Sequence, residues 1–169
     1  GYAIQPVVVW AGEARALKPN PAEVASIHRI PLREFLRDDA PILEPLEGSE
    51  HPVLLAGDFN VVPTDVDIYN PRSWLKDALL QPESRACYQR LLAQGWTDAI
   101  RHLYPDERVY TFWDYFRQHW QKNAGLRIDH LLLNPVLARR LENAGVDAWV
   151  RNEVHASDHA PAWIVLSGK

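Results

Sequence analysis

The chain has 169 residues, 47% of them hydrophobic, and a formal net charge of −4. That length gives room for one ordinary domain with a real core, and the negative balance excludes a highly basic nucleic-acid wrapper while leaving local patches able to meet phosphate. No stretch approaches the roughly 18 apolar residues of a membrane span, no charged-then-apolar leader opens the sequence, and the single Cys87 permits neither an internal disulfide nor a cysteine metal site, so a cytoplasmic setting is expected. Methionine is absent even at position 1, which suggests a trimmed or excerpted chain.

In chain order, Tyr2 to Trp10 reads as a Val/Ile-rich strand, followed by the punctuation of Gly12 and Pro19-Asn20-Pro21. Asp38 to Pro52 is acidic and proline-bearing and reads as a linker, with a boundary near His51. Beyond it the pattern alternates strands and helices. Val53 to Ala56 is an apolar strand, Ser73 to Gln94 two helical stretches broken at Gln81-Pro82 with Pro82 suited to the first helical position, and Gly95 a helix stop. Trp96 to Tyr104 resumes helical spacing, Tyr110 to Phe116 is dense in aromatics, Arg127 to Leu133 is a strand, and Pro135 to Asn143 reads as a short helix closed near Gly145. A polar turn, "HASDHAP", then feeds a final buried strand.

Three acids sit at strand ends: Asp58 in "LLAGDFN", Asp129 in "RIDHLLL" and Asp158 in "SDHAPAW". A single such acid is usually a turn or cap, but three, with Asn60 and His159 beside them, suit hydrolysis of a phosphodiester. Carboxylate and amide oxygens suit a hard divalent cation, a carboxylate can take a proton from water, and an imidazole can donate to a phosphate oxygen as charge develops. Between Arg101 and Arg140 seven basic residues face four acids, which makes that stretch the best candidate for meeting an anion.

"LLAGDFNVVPTDVDIYNP", "GWTDAIR", "YTFWDYF", "GLRIDHLLL" and "SDHAPAWIVL", in that order, resemble the C-terminal half of exonuclease III, the apurinic/apyrimidinic endonuclease of the endonuclease/exonuclease/phosphatase superfamily, over about residues 52–166. The resemblance implies an α/β fold, a mixed sheet with flanking helices forming one half of a four-layer sandwich. It also implies a Mg²⁺-dependent hydrolase, with Mn²⁺ as the alternative ion, acting as a 3′–5′ exodeoxyribonuclease and abasic-site endonuclease in DNA repair. By motif, Asp58, Asn60, Asp129 and His159 would be catalytic, Asp158 and His159 would face the metal, and Phe112, Trp113 and Arg127 would contact duplex DNA with abasic sites or 3′ ends. His130, next to Asp129, is taken as structural.

The family's opening motif and its metal-binding Glu do not appear before Val53, so the expectation is an incomplete half, with self-association through unpaired sheet edges. Residues 1–52, with "KPNPAEVASIHRIPLREFL", instead resemble the C-terminal part of a Nudix hydrolase of the coenzyme A pyrophosphatase-like branch, without its glutamate-bearing helix. Two further readings follow: a Nudix-type or phosphatase-like pyrophosphohydrolase, or a non-catalytic fragment that binds DNA weakly.

Overall fold

Leu131, Leu132 and Leu133 form an unbroken apolar run, and a strand that carries one must be covered on both faces. The computed structural model describes residues 52–168, which belong to the second of two compact units, Gly48–Lys169. The strand expected over Tyr2–Trp10, the Nudix-like segment and most of the linker lie outside the described residues. Strand β3 (Asp129–Leu133) is the centre of a three-stranded sheet, flanked by β1 (Leu54–Asp58) and β2 (Thr97–Asp98), both antiparallel to it. A second antiparallel pair joins β4 (Leu141–Val146) and β5 (Ala162–Leu166). The helices are α1 (Pro82–Ala93), α2 (Ala99–Leu103) and α3 (Pro135–Ala138), with short 3₁₀ turns between them. The mixed α/β class read from the sequence is therefore the one observed.

Pro82 stands at the start of α1, where its missing N–H costs nothing, and Gly95 at φ +94° follows the end of that helix in the left-handed region. Two local expectations change. The helical spacing of Trp96 to Tyr104 is delayed by the two-residue strand β2, whose Asp98 then caps α2 by accepting from the Arg101 amide at 3.1 Å. The helix expected over Pro135 to Asn143 ends at Ala138, and Leu141 to Val146 is a strand. Pairing with β5 from Leu141↔Leu166 to Val146↔Ala162 decides this, helped by Arg140, whose guanidinium donates to the Ser167 carbonyl at 2.7 and 3.0 Å. Gly145 is a close-approach residue within that strand, since a Cβ there would lie 2.5 Å from a Trp163 ring carbon.

Side chains alternate across β3. Leu131 and Leu133 enter a core with Ala99, Ile100, Leu137 and Ala144. A second cluster, Val62, Ile68, Leu80, Leu126 and Ile128, packs under the loop that leaves β1, and a third gathers Tyr110, Trp113 and Ala160.

Charge also enters the interior. Arg127 is fully buried, its Nε 2.7 Å from Asp67 and its Nη1 2.8 Å from Asp98. Asp67 is also held by Arg101 and by the Thr64 hydroxyl, and Asp98 accepts from the Tyr88 hydroxyl at 2.8 Å. Burial pushes the Asp67 carboxyl up, but the Arg127 guanidinium and these hydrogen bonds outweigh it and hold the carboxyl below its ordinary range. Removing one partner of a buried pair leaves uncompensated charge. Arg127→Met is therefore expected to cost about 3–5 kcal/mol in urea unfolding, and a loss below about 1 kcal/mol would show that the cluster carries no such weight.

Candidate active site

The rung Asp58↔Asp129 closes the β1–β3 ladder and sets two carboxylates side by side at one end of the sheet. Asp58 Oδ1 accepts from the Asn60 amide at 2.8 Å, and Asn60 takes φ +49°, a left-handed conformation that Asn tolerates better than most residues. The exposed Asn60 side chain is thus held on a fixed turn next to Asp58.

His159 arrives from the turn before β5. Its own amide is bonded to the Ser157 hydroxyl at 3.1 Å, and the next amide, Ala160 N–H, donates to the Thr111 carbonyl at 2.8 Å. Its Nδ1–H donates to Asp129 Oδ2 at 2.8 Å, and its Nε2 lies 4.0 Å from Asp58 Oδ2. One imidazole therefore stands between the two carboxylates of the rung. Phe112 leans on it, ring centroids 5.0 Å apart.

The electrostatics follow from this arrangement. The hydrogen bond to Asp129, opposed by partial burial and reinforced by the charges of Asp129, Asp58 and Asp158, raises the His159 pKa above its ordinary 6.5. Burial, offset in part by the Asn60 amide and His159 and reinforced by the charges of Asp129 and Asp158, raises Asp58 above 3.8. The sequence placed Asp58, Asn60, Asp129, Asp158 and His159 at one site. Four of them are tied by these contacts, and Asp158 enters through its charge on Asp58 and His159 and through its carbonyl, which accepts from the Trp113 amide at 2.9 Å.

The expected DNA contacts divide. Phe112 lies at the site, but Trp113 is only 2% exposed, packs against Tyr110 and Trp120, and donates its indole N–H to Asn123 at 3.1 Å. Arg127 has no exposed surface and belongs to the buried charge cluster. Neither side chain is placed to touch a ligand, because each has found interior partners. The exposed members of the aromatic loop are Tyr115 and Phe116, at 62% and 74%, followed by Arg117 in the left-handed region.

Two residues the motifs did not single out hold the site together. The buried Thr111 hydroxyl accepts from the amides of Ile128 and Asp129, each at 3.1 Å, which anchors the head of β3. Arg151 donates to the carbonyls of Trp113 and Ser157 and lies over the rings of Tyr115 and Trp120, so it ties the aromatic loop to the turn that carries His159. A hydroxyl or guanidinium whose partners are backbone carbonyls and amides leaves no sequence pattern.

A divalent cation fits this donor set poorly. Asp58 and Asp158 offer hard oxygens, but among the described residues no three His, Cys, Asp or Glu side chains are grouped to hold an ion. His159 commits Nδ1 to Asp129, which leaves Nε2 as its one remaining ring nitrogen, 4.0 Å from Asp58 Oδ2.

Asp58 also sets a balance between stability and chemistry. Its folded pKa is raised, so the stability it contributes is complete below 3.8 and is lost as pH rises through the folded value. Ionising Asp58 therefore costs the fold stability. Asp58→Asn is expected to raise Tm at pH 7, with the gain vanishing as pH falls toward 3.8; scanning calorimetry showing a lower Tm for the variant at pH 7 would refute this.

The model of the "Endonuclease/Exonuclease/phosphatase family" matches residues 2–159, and so runs across the boundary drawn near His51. The DNA repair nuclease APEX1 of Danio rerio is 38% identical over 117 residues, 69% of this chain and 36% of that protein. The exodeoxyribonuclease III of Haemophilus influenzae is 36% identical over 143 residues, 80% of this chain and 54% of that protein. Among solved structures, a 3′ phosphatase from Neisseria bound to a product DNA hairpin matches with a TM-score of 0.68 and 35% identity, over 81% of this chain and 51% of its own. An AP endonuclease from Archaeoglobus fulgidus matches at 0.67 and 30%, over 69% and 46%. The chain spans between about a third and a half of the length of these curated relatives.

Proposed function

The chain belongs to the endonuclease/exonuclease/phosphatase family, and from that premise we propose that residues 53–169 carry the phosphate-facing half of a DNA-repair phosphodiesterase acting on duplex DNA at abasic sites or 3′ ends. The observation that supports this reading most directly is the His159 imidazole set between Asp129 and Asp58. In the proposed reaction Asp58 takes a proton from the attacking water, water oxygen bonds to phosphorus, and the bond from phosphorus to the leaving oxygen breaks, that oxygen taking a proton from solvent to leave as a hydroxyl. The raised pKa of Asp58 makes it a better base than an ordinary carboxylate. His159, kept protonated by Asp129, points Nε2–H at a phosphate oxygen as charge accumulates there, and Asn60 donates its amide to the same group.

The divalent ion that the family resemblance implies, Mg²⁺ or Mn²⁺, would meet Asp58 and Asp158 as oxygen donors. The described residues do not close a site around it, and no step is routed through it. Duplex contact falls to Tyr115, Phe116 and Arg117, the exposed part of the aromatic loop, alongside Phe112. Among the described residues β1 pairs on one side only, which is the basis for proposing self-association; sedimentation at increasing concentration tests it.

The decisive measurement is nicking of a duplex with one abasic-site analogue, in buffer containing Mg²⁺. Asp58→Ala and His159→Ala should each lower the rate by at least about 100-fold, and no cleavage by wild type above buffer would sink the proposal. The rate should rise with pH as Asp58 ionises above 3.8 and fall as His159 loses its proton above 6.5. Asp129→Asn should move the alkaline limb to lower pH. A salt-sensitive gel shift without cleavage would instead favour the binding fragment.

A further inference from the structure

His130 follows Asp129 in β3, so its side chain lies on the opposite face of the strand, away from the carboxylate rung. It is completely buried, yet both ring nitrogens are engaged. Arg127 Nη1 donates to Nδ1 at 2.9 Å, and because a guanidinium cannot accept, the proton must sit on Nε2. That Nε2–H donates to the Val61 carbonyl at 3.0 Å. Val61 is the residue after Asn60. The Phe59 and Tyr88 rings close around the imidazole at 5.5 and 4.6 Å.

The loop leaving β1 is thus held at several points. Phe59 N–H donates to the Ile128 carbonyl at 3.0 Å, Asn60 N–H to Asp58, and Val62 N–H to the Leu79 carbonyl at 2.9 Å. The Val61 carbonyl is held by a side chain, and that side chain is keyed to the buried Arg127–Asp67–Asp98 cluster. Burial, helped by the adjacent guanidinium, pushes the His130 pKa down to about 4, so the ring is neutral and its tautomer fixed at neutral pH.

We propose that His130 is a positioning residue of the reaction: it transmits the fixed geometry of the buried charge cluster to the Val61 carbonyl and so holds the left-handed turn that presents Asn60 and Asp58 to the phosphate. This rests on the phosphodiesterase reading for its kinetic consequence, but the structural link stands apart from it.

The two nitrogens can be separated by substitution. His130→Gln places an amide nitrogen near the Nε2 position and keeps the bond to Val61 while losing the acceptor for Arg127. His130→Asn keeps an oxygen near the Nδ1 position for Arg127 and loses the bond to Val61. On the abasic duplex, His130→Asn should lower kcat at least tenfold with KM within threefold of wild type, whereas His130→Gln should stay within threefold on both. The effect of Asn60→Ala should shrink in the His130→Asn background. Hydrogen exchange of the segment 59–62 should quicken in His130→Asn and stay slow in His130→Gln. Should His130→Asn not fold, His130→Leu, which keeps apolar volume and removes both bonds, takes its place.

Equal loss in both variants, or no loss in either, would overturn the proposal. If wild type does not cleave DNA, the functional reading fails, and unchanged exchange of 59–62 in His130→Asn would then overturn this one separately.

Discussion

The buried guanidinium of Arg127 is the constraint around which the described residues are arranged. It lies two positions before β3, yet it reaches Asp67 in the loop after β1 and Asp98 at the end of β2, while Asp98 in turn holds Tyr88 of α1. A cation taken out of water needs its charge answered at close range, and two carboxylates do so here with further hydrogen bonds from Thr64, Arg101 and Tyr88. Such a cluster adds little net stability over a well-packed apolar core. What it supplies is register. Asp67 in the loop after β1 and Asp98 at the end of β2 meet one guanidinium, a directional contact that apolar packing does not impose.

That register becomes chemistry through the period-two alternation of β3. Asp129 turns to the rim and pairs with His159, His130 turns inward and joins the cluster, and Thr111 holds the amides at the same strand end. Two adjacent residues with opposite faces thus couple an open site to a closed interior. The rung Asp58↔Asp129 would be a costly pair of like charges by itself. His159 lies within reach of both carboxylates, and the same proximity raises its pKa above the ordinary 6.5.

The parts legible in the sequence were those where chemistry and local backbone coincide. Asp58, Asn60, Asp129 and His159 sit in short motifs at strand ends, where an acid or amide has few local reasons to be, and the alternation of apolar runs with Pro82 and Gly95 marked β1, α1 and β3. Long-range partnership was not legible. Arg127 counted toward a basic patch because composition cannot tell a solvated guanidinium from one answered by acids 29 and 60 residues away. Trp113 suited a DNA contact until its neighbours Tyr110, Trp120 and Asn123 supplied an interior. The helix expected over Pro135 to Asn143 ran past Ala138 because nothing in Leu141 to Asn143 announces the pairing with β5.

The misreadings share a cause, and it bears on where function resides. Arg127 and Trp113 are long side chains with a polar end, and such residues move between surface and interior according to whether a partner waits for that end. Each found one, and the exposed side chains of the aromatic loop are instead Tyr115 and Phe116. Arg151 stands between the two sets, bonded to the Trp113 and Ser157 carbonyls and lying over Tyr115, so the buried tryptophan and the exposed aromatics form one unit with the turn that carries His159. The buried Trp113 and the exposed Tyr115 and Phe116 lie within the same motif, and burial is what separates them.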